Sequence, residues 1–488
     1  MMSTNNPSNA PIVVIGAGVA GLAAANLLAH EGIPVRVFEI NDKVGGCCAT
    51  TTIDGYTFND GALFLGLIGL LDHGFARLGL DRNELLPLRK ITATSSITLP
   101  DGTVVTLGQG FDVEVAGRAV DKICLQGELR RMADKWKPVL RFASEELLVH
   151  PFSPWRVLQK GWRHLQKLHG TVAAECNRLF SDHAVRSALS GTLLYSGLPA
   201  ERMPISTILG LVATVTEGLY LPQGGMGKVP EVLSRALNSR GVPVSLNTGI
   251  EKIVIEGGRV SGIELNNGER VDAAAVISTA SGMLTFGSLI GKEHVPSPIQ
   301  QKLTRARLSH QSASVQFGLS NTIEAPAHNV SVLPWMEHQR EIFQQDGREL
   351  KFPVYSVPTR TLPELATNGG SIVEMFCPVR ADIPLEHWDE KHKEQLADMC
   401  VATLQRRYDP NIAVARVRSP KDFRDGLHLY EGALYGLSPA ATPREQFSHV
   451  SPIRGLFMAG QTTFPGYGVG TAMMSGVFAA EAVARNFK

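Results

Sequence analysis

A glycine-rich turn between a strand and a helix, close to the N-terminus, constrains this chain more than any other feature. Residues Pro11 to Ile15 are apolar and mostly β-branched, as a buried parallel strand requires. Gly16-Ala17-Gly18-Val19-Ala20-Gly21 follows at once, and Leu22 to His30 reads as a helix rich in Ala and Leu. A second strand, Val35 to Glu39, ends in an acid. Each part has a physical reason. Gly16 permits the tight turn, and Gly18 lets the backbone approach a diphosphate. Gly21 lets the helix pack closely on the strand, the helix N-terminus faces phosphate charge, and Val19 and Ala20 between the glycines are cofactor-binding candidates with them. Glu39 is placed to accept hydrogen bonds from a ribose hydroxyl. A lone GxGxxG says little, because glycine-rich turns are common. With both strands, the helix and the terminal acid present, the segment is a dinucleotide-binding βαβ unit.

The chain has 488 residues, which predicts two domains or three rather than one core. It carries 47 Lys and Arg against 46 Asp and Glu, so no global basic field marks a nucleic-acid partner. The long apolar stretch Ile12 to Ala29 is interrupted by glycines. It has neither the basic flank nor the cleavage site of a signal peptide. A cytoplasmic protein is expected, either free or held peripherally at a membrane surface. The six cysteines (Cys47, Cys48, Cys124, Cys176, Cys377 and Cys400) show no CxxC or Cys/His zinc spacing. No metal is expected, and the adjacent Cys47 and Cys48 are expected as two thiols.

Val44-Gly45-Gly46 lies just past Glu39, followed by Asp54-Gly55-Tyr56-Thr57-Phe58-Asn59-Asp60-Gly61. This pattern resembles the flavoprotein family that holds amine oxidases, phytoene desaturases, carotenoid isomerases and retinol saturase. The resemblance implies FAD, held non-covalently, with Gly45 and Gly46 closing over the diphosphate and Gly61 and Ala62 running beside the flavin ring. The usual pattern there is GGR, its arginine near the phosphates and flavin; this chain has Cys47 instead.

Two later blocks are similar to the same family. Tyr220 to Lys228, with its Gly224-Gly225-Met226-Gly227, leads into a helix through Leu237. Strands follow at Val242 to Leu246, Ile250 to Ile255, Arg259 to Leu265 and Ala274 to Ser278. The turns Glu256-Gly257-Gly258 and Asn266-Asn267-Gly268 carry hairpin chemistry. The resemblance places the backbone of Ile250 at the adenine. In the C-terminal block, Gly455 to Gln461 and Phe464 to Ala472 precede a closing helix. By resemblance Gly460 and Gln461 lie along the ribityl chain. Gly468, Val469 and Ala472 bring helix N–H groups to the flavin edge that gains negative charge on reduction.

The implied fold class is α/β: a discontinuous Rossmann-type FAD-binding domain (8–88, 218–285 and 440–488) with a mixed α+β substrate domain (89–217 and 286–439). Within the C-terminal block, Phe464 to Val477 is closer to carotenoid isomerases and retinol saturase than to amine oxidases. Gly432 to Leu437 and Leu193 to Pro199 are similar to the same branch. No second Rossmann unit follows, so electrons are expected to pass to or from quinone, oxygen or another protein.

The proton-transfer candidates are His310, on an expected strand Ser309 to Phe317, Tyr467 in the flavin-covering loop, and Glu431 before the Gly432 loop. Against these stand a hydrogen-bonded sheet histidine, a packing aromatic and a solvated loop acid. The apolar stretches Ala62 to Leu71 and Ile205 to Val215 suit either a hydrophobic tunnel or ordinary core.

The segment 129–170 is the expected membrane-facing part. A helix from Trp155 to Leu168 gathers Arg156, Lys160, Arg163 and Lys167 on one face and Trp155, Leu158, Trp162, Leu165 and Leu168 on the other. Such a helix suits an anionic membrane surface, or else packs its apolar side on its own domain. Three functions are compatible with the residues. One is a flavoenzyme that desaturates, saturates or isomerises C–C bonds of an apolar polyene or isoprenoid. The others are an amine or amino-acid oxidase, and a lipid-carrying escort that does not use its flavin.

Overall fold

The strand Ile12–Ile15 is the middle of a five-stranded parallel sheet ordered Val244–Ser245, Val35–Phe38, Ile12–Ile15, Ala275–Ser278 and Leu456–Met458. The computed structural model describes residues 10–487, apart from 93–94, 109, 334, 345–349, 351–352, 368 and 381. The expected first boundary at residue 8 lies outside the described residues. Strands from three separated stretches of chain therefore share one sheet, and their apolar side chains are buried on both faces.

The helix Val19–His30 packs on one face, buried from Val19 to Leu28. It begins three residues earlier than expected, because Gly18 itself caps the turn. The C-terminal helix Val469–Phe487 lies against it so closely that a Cβ on Gly476 would sit 2.0 Å from the Ala20 carbonyl oxygen. On the other face the strands Ile250–Glu256, Arg259–Leu265 and Arg270–Asp272 form an antiparallel meander through the two expected hairpin turns.

The remaining chain builds an eight-stranded sheet and a helical layer. The sheet runs Ile412–Arg418, Gln311–Leu319, Ser371–Val379, Val354–Ser356, His328–Ser331, Ser95–Thr98, Val104–Leu107 and Val113–Ala116. All its pairings are antiparallel except that of His328–Ser331 with Ser95–Thr98. Helices Lys122–Phe142, Val172–Leu179, His183–Gly191 and Ile208–Thr216 share a core with its far strands. Ile205, Ile208, Leu211 and Val212 are part of that core, which accounts for their apolar run.

Two expected elements are corrected. The strand expected at Ser309 begins at Gln311, because Ser309 and His310 hydrogen-bond instead to the loop residues Gly436 and Leu434. The expected helix Trp155 to Leu168 is an α-helix over Pro154–Leu165, capped by the Ser153 hydroxyl, followed by one 3-10 turn. Among the described residues no helix is long and apolar enough to cross a membrane.

Candidate functional site

The glycines of the first turn divide by what surrounds them. A Cβ on Gly21 would lie 2.0 Å from the Gly16 carbonyl oxygen, and one on Gly16 would lie 2.4 Å from Thr279 Oγ1. Both are glycine because the helix, the turn and the next strand leave no room. Gly18 differs: a Cβ there meets nothing within 4 Å. It caps a helix whose first turn receives no side-chain hydrogen bond from its cap residue. The helices beginning after Asp121, Thr171 and Asp182 do receive one. An uncapped helix start opening on free space is a cradle for an anionic oxygen. The second glycine pair forms its other wall: Gly45 N donates to Ala17 O at 2.9 Å, and a Cβ on Gly46 would meet Gly18 Cα at 3.6 Å.

Glu39 is buried at the edge of this cradle. Its Oε2 accepts from Ala17 N at 2.7 Å and its Oε1 from Asn41 N at 3.0 Å. Its carbonyl accepts from Thr248 N, two residues before Ile250, so the acid and Ile250 share one end of the sheet. The Gly224–Gly227 turn sits behind the second glycine pair, where Cys48 Sγ bonds Met226 O and Pro230 presses on Gly45.

The segment after Asp60 folds onto Cys47: Ala62 N donates to Cys47 O at 2.8 Å, and Gly61 has no room for a side chain beside Cys47. Both Cys47 and Cys48 are free thiols, and burial pushes the Cys47 thiol up to about 11. Gly460 N donates to Ser475 Oγ at 2.8 Å, tying the last strand to the closing helix, while Gln461 reaches the Gly436 turn. The first bond of that helix runs from Ala472 N to Gly468 O, with Val469 between them. These features fit a dinucleotide lying from Ile250, across Gly18, to the Val469 end. A recess of about 590 Å³ lined by His30, Arg77, Glu481 and Arg485 is at the opposite end of the first helix and contains none of these residues.

Between Ala62 and Gly468 runs a wall of rings. Phe64 meets Tyr195 and His328 edge-on at 5.8 and 5.7 Å. Tyr195 packs on Phe376 at 5.4 Å, and Phe376 on His310 at 5.6 Å. His310 meets Tyr435 at 5.5 Å, and Tyr435 stacks on Tyr467 at 4.3 Å. The chain thus brings two of the three catalytic candidates together through Tyr435. Glu431 is not brought with them: its side chain is exposed, and only its carbonyl reaches inward, to Gln311 Nε2.

Burial keeps His310 and the three tyrosines of the wall neutral near pH 7. Burial pulls His310 down to about 4, and both its ring nitrogens lack a hydrogen-bond partner among the described residues. Burial pushes Tyr467 up to about 12, and Tyr435 and Tyr195 higher still. His328 joins Tyr195 to Ser95, with Nε2 2.6 Å from the Tyr195 hydroxyl and Nδ1 3.0 Å from Ser95 Oγ. Behind the wall, burial pushes Glu374 up to about 7 although Asn59 donates to both of its oxygens.

Sequence reading missed Tyr195, Tyr435, His328, Glu374 and Arg418. Tyr195 and Tyr435 lie inside the two blocks Leu193 to Pro199 and Gly432 to Leu437, where an aromatic in a glycine loop was the available signal. His328, Glu374 and Arg418 are strand residues with no local pattern around them.

The fold is similar to that of solved oxidoreductases. An oxidoreductase from Methanosarcina mazei superposes with a TM-score of 0.64 at 16% identity, covering 97% of this chain and 100% of that one. Wild-type putrescine oxidase bound to putrescine gives 0.61 at 18%, covering 98% and 99%. In sequence, the chain is 26% identical to the zeta-carotene-forming phytoene desaturase of Myxococcus xanthus, over 95% of this chain and 92% of that protein. It is 25% identical to the chloroplastic prolycopene isomerase of Daucus carota, over 97% and 79%. Residues 19–484 match the flavin containing amine oxidoreductase family, and the chain belongs to that family.

Proposed function

We propose that this FAD-dependent oxidoreductase acts on carbon–carbon bonds of an apolar, polyene- or isoprenoid-like substrate, by desaturation, saturation or cis/trans isomerisation. The observation that carries the reading is the aromatic wall from Phe64 to Tyr467. Stacked and edge-on rings receive a flat hydrocarbon through dispersion and area burial. The wall itself carries no carboxylate. The resemblance of the chain to phytoene desaturase and prolycopene isomerase supports the same choice.

Bound FAD supplies two-electron exchange with a substrate carbon. The cofactor-binding residues we assign are those of the cradle: Gly16, Gly18, Val19, Ala20, Gly21, Glu39, Gly45, Gly46, Cys47, Gly61, Ala62, Ile250, Gly460, Gln461, Gly468, Val469 and Ala472. Phe64 and Tyr467, next to Ala62 and Gly468, hold the substrate plane against the ring. Among the described residues His310 Nδ1 and Nε2 are buried without a hydrogen-bond partner, which leaves them free to exchange a proton with a substrate carbon. Tyr435 fixes the distance between His310 and Tyr467. Quinone, oxygen or another protein takes or supplies the electrons.

The exposed helix Pro154–Leu165 is the proposed contact with an anionic membrane surface. Its apolar face is not packed on the domain: Trp155 is 65% and Trp162 51% exposed, with Leu158, Leu165 and Phe152 beside them. Phe152 also touches Phe464 in the flavin-covering loop, at 5.4 Å. That contact links the exposed face to the site.

Anaerobic mixing tests the chemistry. A desaturase bleaches oxidised flavin when a polyene or isoprenoid is added, and a saturase reoxidises pre-reduced flavin. An isomerase turns over only with reduced flavin and leaves its spectrum unchanged. Bleaching by simple amines or amino acids, with no response to any isoprenoid, would transfer the case to an amine oxidase. Mass spectrometry of whatever lipid or pigment co-purifies identifies the substrate.

A further inference from the structure

Arg418 ends the edge strand Ile412–Arg418 and turns its guanidinium toward the segment between Asn59 and Ala62. Nη1 donates to the main-chain carbonyl of Asp60 at 2.6 Å and lies 3.5 Å from Asp60 Oδ1. The guanidinium carbon stands 4.8 Å over the Phe423 ring. Among the described residues, Nε and Nη2 have no acceptor, although Arg418 is only 7% exposed. Burial pulls its pKa down, against the attraction of Asp60. The side chain is mostly buried, and its unused N–H groups open on accessible space where an anionic acceptor can reach them.

Asp60 is not enough to neutralise it. The same carboxylate is 2.8 Å from Lys43 Nζ and 2.8 Å from Arg416 Nη1. Burial alone pushes the Asp60 carboxyl up, but Lys43, Arg416 and Arg418 together hold it below the usual carboxylate range. Asp422, the other carboxylate that acts on Arg418, is itself paired with Lys393 at 2.9 Å. Arg418 is close enough to Cys47 to act on its thiol, and Cys47 lies beside Gly61 and next to Gly46, which faces Gly18. Cys47 cannot balance or replace that charge, because its thiol stays protonated even with the Arg418 cation close enough to act on it.

We propose that Arg418 supplies, from a distant strand, the guanidinium that Cys47 does not. It donates its free N–H groups to an anionic part of the bound dinucleotide, either the diphosphate or the reduced ring. The inference rests on FAD occupying the glycine cradle and on nothing about the substrate. Arg418 also holds the Asp60 carbonyl, so the fork spans the flavin-side segment and the cofactor at once.

The test uses the full chain stripped of flavin, titrated with FAD and separately with ADP, together with the two-electron reduction potential by dye equilibration. With the diphosphate as acceptor, Arg418→Gln is expected to weaken oxidised FAD about tenfold or more, the value of a charged hydrogen bond. ADP then weakens by the same factor. With the ring as acceptor, ADP affinity stays constant and the potential falls. Adding Cys47→Arg to Arg418→Gln recovers most of the loss. A folded Arg418→Gln protein with unchanged affinities and potential overturns the proposal, as does a loss that Cys47→Arg leaves untouched. Cys47→Arg alone keeps the Asp60 cluster intact and decides the matter even where Arg418→Gln does not fold. Two guanidiniums then compete for one slot and FAD does not tighten; a tenfold tightening would show the slot empty and refute the role of Arg418. Failure of Gly18→Val to affect FAD would instead count against the cradle.

Discussion

Tyr435 stacks on Tyr467 with ring centroids 4.3 Å apart and planes 21° from parallel, while its hydroxyl donates to the Tyr195 carbonyl. The pair joins the loop before the closing helix to the helical layer, and it does so without a charged group. Replacing Tyr435 by Leu is expected to leave FAD bound, because the cradle is elsewhere, yet to cut turnover of an isoprenoid severalfold by loosening Tyr467. The flavin spectrum and the rate in a single-turnover mix separate the two effects.

The cofactor is expected to be FAD, one per chain and non-covalent, since Cys47, the thiol that lines the cradle, is held protonated by burial. Acid precipitation should release intact FAD into the supernatant. Yellow colour that stays with the pellet would contradict this.

Glu39→Ala is expected to weaken FAD by about 1.5–3 kcal/mol, the range for a hydrogen bond to a charged group. Gly18→Val should abolish binding, because its side chain fills the open space that glycine leaves there. Fluorescence titration of both variants reads the difference. Equal affinity to wild type in both would mean the diphosphate lies elsewhere.

Stability carries two opposed pH slopes. Glu374 has a folded pKa raised from 4.5 to about 7, so the folded state holds its proton longer and loses stability as pH rises from about 4.5 through 7. His310 has a folded pKa lowered from 6.5 to about 4, so stability is lost as pH falls from about 6.5 toward 4. Glu374→Gln should remove the first slope and His310→Leu the second. His310→Leu should also hold or raise the melting temperature, because it removes two buried nitrogens without partners. Melting curves between pH 5 and 8 measure both; a parallel pH dependence in wild type and variants would contradict the assignments.

Anionic vesicles should bind the chain at low salt, through the apolar face that begins at Trp155 and with basic residues at its flank. Trp155→Ser with Trp162→Ser removes most of this binding. Substituting Arg156, Lys160, Arg163 and Lys167 by Gln has a smaller effect, since Lys160 is already paired with Glu146 and Lys167 with the Lys135 carbonyl. Wild-type protein left wholly in the supernatant after sedimentation would exclude the contact.

The cofactor half of the molecule was legible because its constraints are local. A turn that must accept phosphate has to be Gly16 to Gly21, and a strand buried on both faces has to be apolar, so the residues announce themselves at fixed spacing. The wall was not legible for the converse reason. Tyr195, His310, His328, Phe376 and Tyr435 come from five places in the chain, two on strands of the large sheet and three on loops and a short turn, and meet only once the chain is folded. Glu374 has no sequence mark because its strand is buried on both sides and alternation is lost. The outward turn of Trp155 and Trp162 depends on which side of the helix the domain occupies, and periodicity defines two faces without saying which is inside. Arg418 lies hundreds of residues from the cysteine it faces, at the end of an edge strand whose alternating residues read as ordinary surface.

The contact between Phe152 and Phe464 has a kinetic consequence. Where a hydrocarbon reaches the flavin by lateral diffusion beneath the Trp155 face, its amount per litre ceases to govern the rate. What counts is its mole fraction within the lipid, and swelling the vesicles with inert phospholipid slows turnover while total protein and total substrate stay constant.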